Sequence, residues 1–267
     1  MEGRTINFTL TDSYQIRQYN SDKFLELNNH FVPVPYINNS KNKFTENLKV
    51  ELKSIKNSVI KYQISATENY ELSKFISYKK PFVITKKCYV HFLSIIKKDS
   101  SKVVTQPFYK IQNDKTIQVL TSVNPMYTAG GKESLIDGIE GTANWRAGEW
   151  QSYYGNNFEA IIGFKVSTTI DKINLRFLQD IKSWIWVPRK IKIYTSSDNI
   201  NFIAQNTFIP AIDEKNEENI VCSFVIPIQK TKTKFVKIVA ENFETIPSWH
   251  LGAGNKAHIF ISEIGFN

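Results

Sequence analysis

The feature that most restricts this chain is a series of short stretches in which apolar and polar residues alternate. They include LKVELKS, VIKYQIS, PFVITKK and CYVHFLSII, then FEAIIGFKV, KINLRFLQ, RKIKIYTS, NFIAQ, IVCSFVIPI, KFVKIVAEN and HIFISEIGF. A period of two sends successive side chains to opposite faces of an extended strand. The apolar face of each strand must then be buried against another sheet. No stretch of helical period separates the later strands, which argues against a parallel sheet with crossover helices. The expectation is an all-β chain. Residues 1–43 alternate only weakly (INFTL, YQIRQY, KFLELNN) and then reach Pro33, Pro35 and the polar run Asn38–Lys43. They read as N-terminal strands and a linker. Residues 44–112 read as a small β-unit with turns at Asn69, Ser73, Lys79-Lys80-Pro81 and Lys98–Ser101. Residues 113–267 read as a larger one with turns at Asp198-Asn199, Ile209-Pro210 and Lys230-Thr231-Lys232.

Strand spacing and length make the 44–112 segment an Ig-like β-sandwich. Residues 113–267 fit an eight-stranded jelly roll. Hydrophobic residues at 42%, with 18 Phe and 12 Tyr, are enough for a core in each. The formal charge of +9 comes from lysines scattered along the strands, as on solvated sheet faces and guarded edges. There is no Arg-rich block or nucleic-acid motif, so nucleic acid is not an expected partner. Cys88 and Cys222 each sit in an alternating apolar stretch and read as buried free thiols; without a CxxC or Cys/His cluster a zinc site is not expected. His91, inside CYVHFL, reads as a strand residue. The start, MEGRTINFTLTD, has no apolar core of a signal peptide, and no apolar run of about 18 residues could span a membrane. That leaves open a cytoplasmic chain or the trimmed part of a longer secreted one.

One stretch, Tyr127–Gly155, breaks the alternation: YTAGGKESLIDGIEGTANWRAGEWQSYYG. Its glycines interrupt any regular period, and its Trp and Tyr residues speak against disorder. It reads as an ordered loop that bears a site. Binding a pyranose takes an aromatic platform for the C–H face and planar polar groups for the hydroxyls. Three places offer both: Asn144-Trp145-Arg146, Lys182-Ser183-Trp184 and Ser248-Trp249-His250. Trp150 and Trp186 read as core residues. On the residues alone, Asp137-Gly138 reads as a turn, Thr142 as a cap and Glu263 as an exposed strand residue.

Two resemblances sharpen this. FTENLKVELKS, VIKYQIS and SYKKPFVITKKCYVHFLSI, with Tyr78, Pro81, Phe82 and Ile84, resemble the chitobiase C-terminal Ig-like domain; the hairpin KYQISATEN departs from that family's pattern. LIDGIEGTANW, EWQSYYGNNFEAIIGF, INLRFLQD, WIWVPRKIKIYTSSD and WHLGAGNKAHIFISEI resemble the discoidin, or coagulation factor 5/8 type C, domain, a galactose-binding-like jelly roll that includes the family 32 carbohydrate-binding modules. The wording is similar to the C-terminal region of bacterial family 20 glycoside hydrolases, the β-N-acetylhexosaminidases. The second resemblance implies a structural Ca2+ held by the side chains of Asp137, Thr142 and Glu263 and the carbonyls of Ser134, Ile139, Thr142 and Ser262. It also implies a sugar site among Trp145, Arg146, Trp184, Trp249 and His250, although the family's His/Arg/Asn trio has no position-by-position match here.

Catalysis is not expected. A family 20 enzyme needs an adjacent Asp-Glu pair in a (β/α)8 barrel, which takes about 250 residues. Asp213-Glu214 lies in the polar loop AIDEKNEEN with no barrel around it. The resulting expectation is a carbohydrate-binding module that targets a glycoside hydrolase to a galactose- or N-acetylhexosamine-terminated glycan. The alternative is a structural region that stabilises a β-N-acetylhexosaminidase catalytic domain. Either implies a secreted, periplasmic or cell-surface setting within a longer protein.

Overall fold

A computed structural model describes residues 32–38, 42–55 and 57–267. The expected strands within residues 1–31 lie outside the described residues. The chain is all-β and divides into two compact units, Met1–Lys110 and Ile111–Asn267. Among the described residues the only helical segments are short 3-10 turns, and no helix is long and apolar enough to cross a membrane.

The first unit contains β1 (Tyr36–Ile37), β2 (Lys43–Phe44), β3 (Leu48–Val50), β4 (Leu52–Lys53), β5 (Val59–Ser65), β6 (Ile76–Ser77), β7 (Phe82–Ile84), β8 (Cys88–Ile96), β9 (Asp99–Ser100) and β10 (Val104–Lys110). Its main sheet runs β2-β10-β8-β5-β6, with β9 on β8; β3 pairs with β7 and β1 with β4. Alternate residues Cys88, Val90 and Phe92 of β8 join Val50, Leu52, Ile60, Ile84 and Phe108 in one core. His91, on the opposite face of β8, is buried between hydroxyls: Ser65 Oγ lies 2.8 Å from Nε2 and Thr105 Oγ1 2.9 Å from Nδ1. Burial lowers its pKa. It does strand work.

The second unit contains β11 (Lys115–Val119), β12 (Gln151–Tyr154), β13 (Phe158–Gln179), β14 (Lys190–Ser196), β15 (Ile203–Phe208), β16 (Ile220–Glu241) and β17 (His258–Phe266). The hydrogen-bonded path is β12-β17-β13-β16-β14-β15, with β11 also on β13. β13 and β16 each run 22 residues, about 70 Å if straight, which is too long for one flat layer. Register breaks in β13 between Gly163 and Thr168 and between Ile170 and Lys172 let both strands bend together. The first half of β13 then pairs with β11 and the last part of β16, whose other edge carries β14. Its second half pairs with β17 and the first part of β16. Residues of both layers, among them Ile162, Ile193 and Ile238 from one and Phe177, Ile226 and Ile261 from the other, meet in a single core. That is a β-sandwich.

The sequence placed a turn at Lys230-Thr231-Lys232 and two strands on either side. The structure has none there: Thr231, Lys232 and Thr233 pair with Ile170, Thr169 and Thr168, and the ladder continues around the bend. FEAIIGFKV and KINLRFLQ likewise form one strand. Cys88 and Cys222 are both free and buried.

Candidate functional site

The strands β13 and β16 end, and β14 and β17 begin, at one edge of the second unit, and the loops between them meet there. The first, residues 180–189, follows β13. Asp180 leads a 3-10 turn, Ile181–Ser183, which closes with the Trp184 N–H donating to the Ile181 carbonyl. Trp184 itself has φ +64°, a left-handed conformation uncommon for a residue other than Gly and rarer still for a bulky one. This carries its indole onto the second loop, residues 242–257. There Gly252 has no room for a side chain: a Cβ would stand 2.7 Å from Trp184 Nε1. Beside it, His250 Nδ1 accepts the Gly252 N–H at 3.0 Å, which leaves Nε2 as the ring's donor.

His250 meets Trp186 edge-on at 5.3 Å between centroids and Trp249 at 5.6 Å. Trp186 is 1% exposed and, with Ile181, Ile246 and Ala257, forms a small core under the loops. Trp249 is 39% exposed and has Lys215 Nζ 5.5 Å from its ring. Lys215 belongs to the third loop, residues 209–219, which also supplies the Glu214 carbonyl that accepts the Trp186 indole N–H. Thus the structure brings together Trp184, Trp249 and His250 from two loops, braced by a third.

On the other side of Trp186 lies a cleft of about 260 Å³ lined by Gln179, Pro188, Arg189, Ile212, Glu214 and Phe243 among others. The Gln179 amide nitrogen donates to the carbonyls of Asp213 and Asn216, so its orientation is fixed. Its Oε1 is buried and has no hydrogen-bond partner among the described residues. Arg189 Nε donates to the Asn242 carbonyl, and its guanidinium lies 5.7 Å from the Phe243 ring centre. Sequence reading missed this cleft. Gln179 reads as the last alternating residue of a strand, and only the tertiary arrangement leaves its oxygen without a donor.

Trp145 and Arg146 stand apart from that cluster. Trp145 is 8% exposed; its indole N–H donates to Asp180 Oδ2, and its ring packs against Tyr127 and Phe260. The Arg146 guanidinium covers the ring at 3.7 Å. Contrary to the expectation, Trp145 presents no open platform. A short 3-10 turn, Trp145–Ala147, turns the indole inward, and a cation–π contact caps it. Arg146 remains exposed. The Asp213-Glu214 pair is exposed in its loop.

The glycine-punctuated segment also wraps the last strand. Gly138 N–H donates to Glu263 Oε2 at 3.0 Å, and Gly141 N–H to Ser262 Oγ at 3.1 Å. Asp137, 7% exposed, takes the Ile139 N–H on Oδ1. Gly141 must be Gly, since a Cβ would stand 2.4 Å from the Trp150 ring. Burial, and then the neighbouring Asp137 charge, push the Glu263 carboxyl up to about 8. Thr142 is exposed and its carbonyl accepts the Trp150 indole N–H. Ser134 Oγ donates to the Gly131 carbonyl. Among the described residues no three His, Cys, Asp or Glu side chains converge as a metal-binding group. A cation here would rest on two carboxylates plus hydroxyl and carbonyl oxygens. That donor set suits a hard ion, and the like-charged, desolvated Asp137/Glu263 pair fits one.

These features define an all-β protein whose second unit is a sandwich with its candidate site on clustered loops. No family model matches the chain, and no curated protein matches it. Among solved structures it is similar to the C-terminal domain of a chitobiase from Bacteroides fragilis, with 17% identity and a TM-score of 0.37, covering 58% of this chain and 93% of that one. It is similar to CpGH89CBM32-5 from Clostridium perfringens, solved in complex with GalNAc-β-1,3-galactose, with 16% identity, a TM-score of 0.38, and coverage of 57% and 94%. It is also similar to CBM32-1 from a family 31 glycoside hydrolase of Clostridium perfringens, with 14% identity, a TM-score of 0.37, and coverage of 58% and 95%.

Proposed function

We propose that the chain is a non-catalytic carbohydrate-binding protein, with its glycan site at the loop end of the second unit. The observation that carries this is the exposed Trp249 ring set beside His250 and Trp184, next to an open cleft. Trp249 offers a face for the C–H side of a pyranose. His250 Nε2 and Lys215 supply donors for its hydroxyls. Galactose- and N-acetylhexosamine-terminated glycans are the expected ligands. The site would act by holding a linked glycosidase catalytic domain near its substrate, where even weak binding raises local concentration. Such a role belongs to a secreted or cell-surface protein. A glycan array followed by calorimetry tests it: binding to at least one such glycan is expected, abolished in Trp249→Ala. An array without a single binder rejects the reading.

We further propose that Asp137, Thr142 and Glu263, with the carbonyls of Ser134, Ile139, Thr142 and Ser262, hold a structural Ca2+. The ion would neutralise the carboxylate pair and tie the 137–142 loop to β17. Thermal melts with and without chelator test this; identical melting temperatures would reject it.

A second reading has one observation in its favour. Trp145 is packed inside the unit, and the region would then serve to stabilise a neighbouring catalytic domain instead of meeting sugar. The two readings separate on the array.

A further inference from the structure

The chain's positive charge is not shared between its units. Met1–Lys110 holds 18 Lys and Arg against 9 Asp and Glu, whereas Ile111–Asn267 holds 16 against 16. All of the net charge of +9 therefore falls in the first unit. A general leaning toward lysine would have raised both units alike, so the second serves as an internal control. Among the described residues of the first unit, every basic residue is a lysine: 13 of them, against 5 carboxylates. Lys53 and Lys74 pair with Glu51 and Glu71. Even with every carboxylate engaged, most of the lysines remain in excess.

Register gathers these lysines at the two ends of β8. At its start, Tyr109 and Lys110 of β10 lie beside Lys43 and Phe44 of β2, while Phe108 lies beside Cys88. Lys86 and Lys87, immediately before Cys88, therefore share that corner with Lys43 and Lys110, which flank it from opposite faces of the sheet, Lys110 Nζ also donating to the Glu46 carbonyl. Lys87 Nζ stands 5.6 Å from the Tyr109 ring centre, and Lys110 Nζ 5.3 Å from that of Phe44. At the far end, Lys97 and Lys98 form the turn into β9, and Lys102 follows it. Lys61 lies between, on the face of β5 turned away from the core residues Ile60 and Tyr62. Nine strand residues set the two groups about 30 Å apart.

We propose that this surface docks an acidic polysaccharide, whose carboxylate or sulfate groups engage the lysine clusters at both ends of β8. The separation calls for a linear polymer and not a small anion. Lysine ammoniums are point charges that bind anions without the two-pronged geometry for which arginine is favoured in nucleic-acid recognition. The rings at the corner, Tyr109 and Phe44, lie under lysines and so do not form the open stacking platform that single-stranded nucleic acid uses. The residues of this surface belong to the first unit and those of the loop-end site to the second.

The test is titration of the whole chain with polygalacturonate, with dextran as the neutral control and a single-stranded oligodeoxynucleotide of equal charge as the rival. Binding to polygalacturonate but not dextran is expected, with affinity falling at least ~10-fold between about 50 and 200 mM NaCl as counterions are released on binding. The variant K43Q/K86Q/K87Q/K110Q is expected to lose at least tenfold in affinity and to flatten the salt dependence. K165Q/K230Q/K232Q/K234Q removes as many lysines from the second unit and is expected to change affinity less than twofold. K97Q/K98Q/K102Q tests the other end should the first variant fail to fold. No binding to polygalacturonate at low salt, equal losses in both units, or tighter binding to the oligonucleotide would each overturn the proposal.

Discussion

Single side chains separate binding from folding at the loop end. Trp249 is exposed, so Trp249→Ala is expected to cost more than tenfold in glycan affinity while leaving the melting temperature nearly unchanged. Trp145 is packed and hydrogen-bonded, so Trp145→Ala is expected to lower stability by about 3–5 kcal/mol, read by urea unfolding. Glu263 gives a pH prediction. Its folded-state pKa is raised from 4.5 to about 8, so without metal the folded protein holds a proton that the unfolded chain has released. Stability of the chelator-treated protein is therefore expected to fall as pH rises from about 4.5 to 8 and to level off above that. Glu263→Gln should flatten this slope, and Ca2+ should reverse it in the unsubstituted protein. A melting temperature independent of pH in chelator would contradict the assignment. Residue type alone marked Trp184, Trp249 and His250, because aromatic and planar polar side chains in segments that break the strand alternation stand out in sequence. It could not tell Trp145 from Trp249. Each follows a single polar residue, Asn144 or Ser248, and the inward turn of one indole is set by Asp180, 35 positions away.

At the level of elements, period-two alternation identified most of the strands of the second unit, because each has one face in the core. What it could not show was that four of them join in pairs. Bends are made by register breaks within an unbroken ladder, and the residues there, Lys230 to Lys232, have the polarity of a turn. Amide hydrogen exchange distinguishes the two: residues 231–233 are expected to be protected on the timescale of their strand neighbours, and fast exchange there would mean a true turn. The 137–142 loop was legible through its glycines, although the reason for Gly141 was not. Gly141→Ala would push a methyl group into Trp150 and is expected to destabilise the unit by about 1–3 kcal/mol, measurable by chemical denaturation.

For the molecule as a whole, the two compact units each have their own core. Residues 111–267 expressed alone are expected to fold and to keep both glycan binding and the response to chelator. Loss of the cooperative melting transition in that fragment would show that the cores depend on each other. The bend in β13 also gives the second unit a polarity. Its opening strand enters with Lys115 beside Phe164, and its closing strand leaves with Phe266 beside Ile173, both next to the bend. The loops bearing Trp184, Trp249 and Lys215 sit at the opposite extremity. Entry and exit thus share a hilt while the aromatic cluster forms the tip, so that within this unit the chain arrives and departs at the end remote from the rings that would meet a sugar.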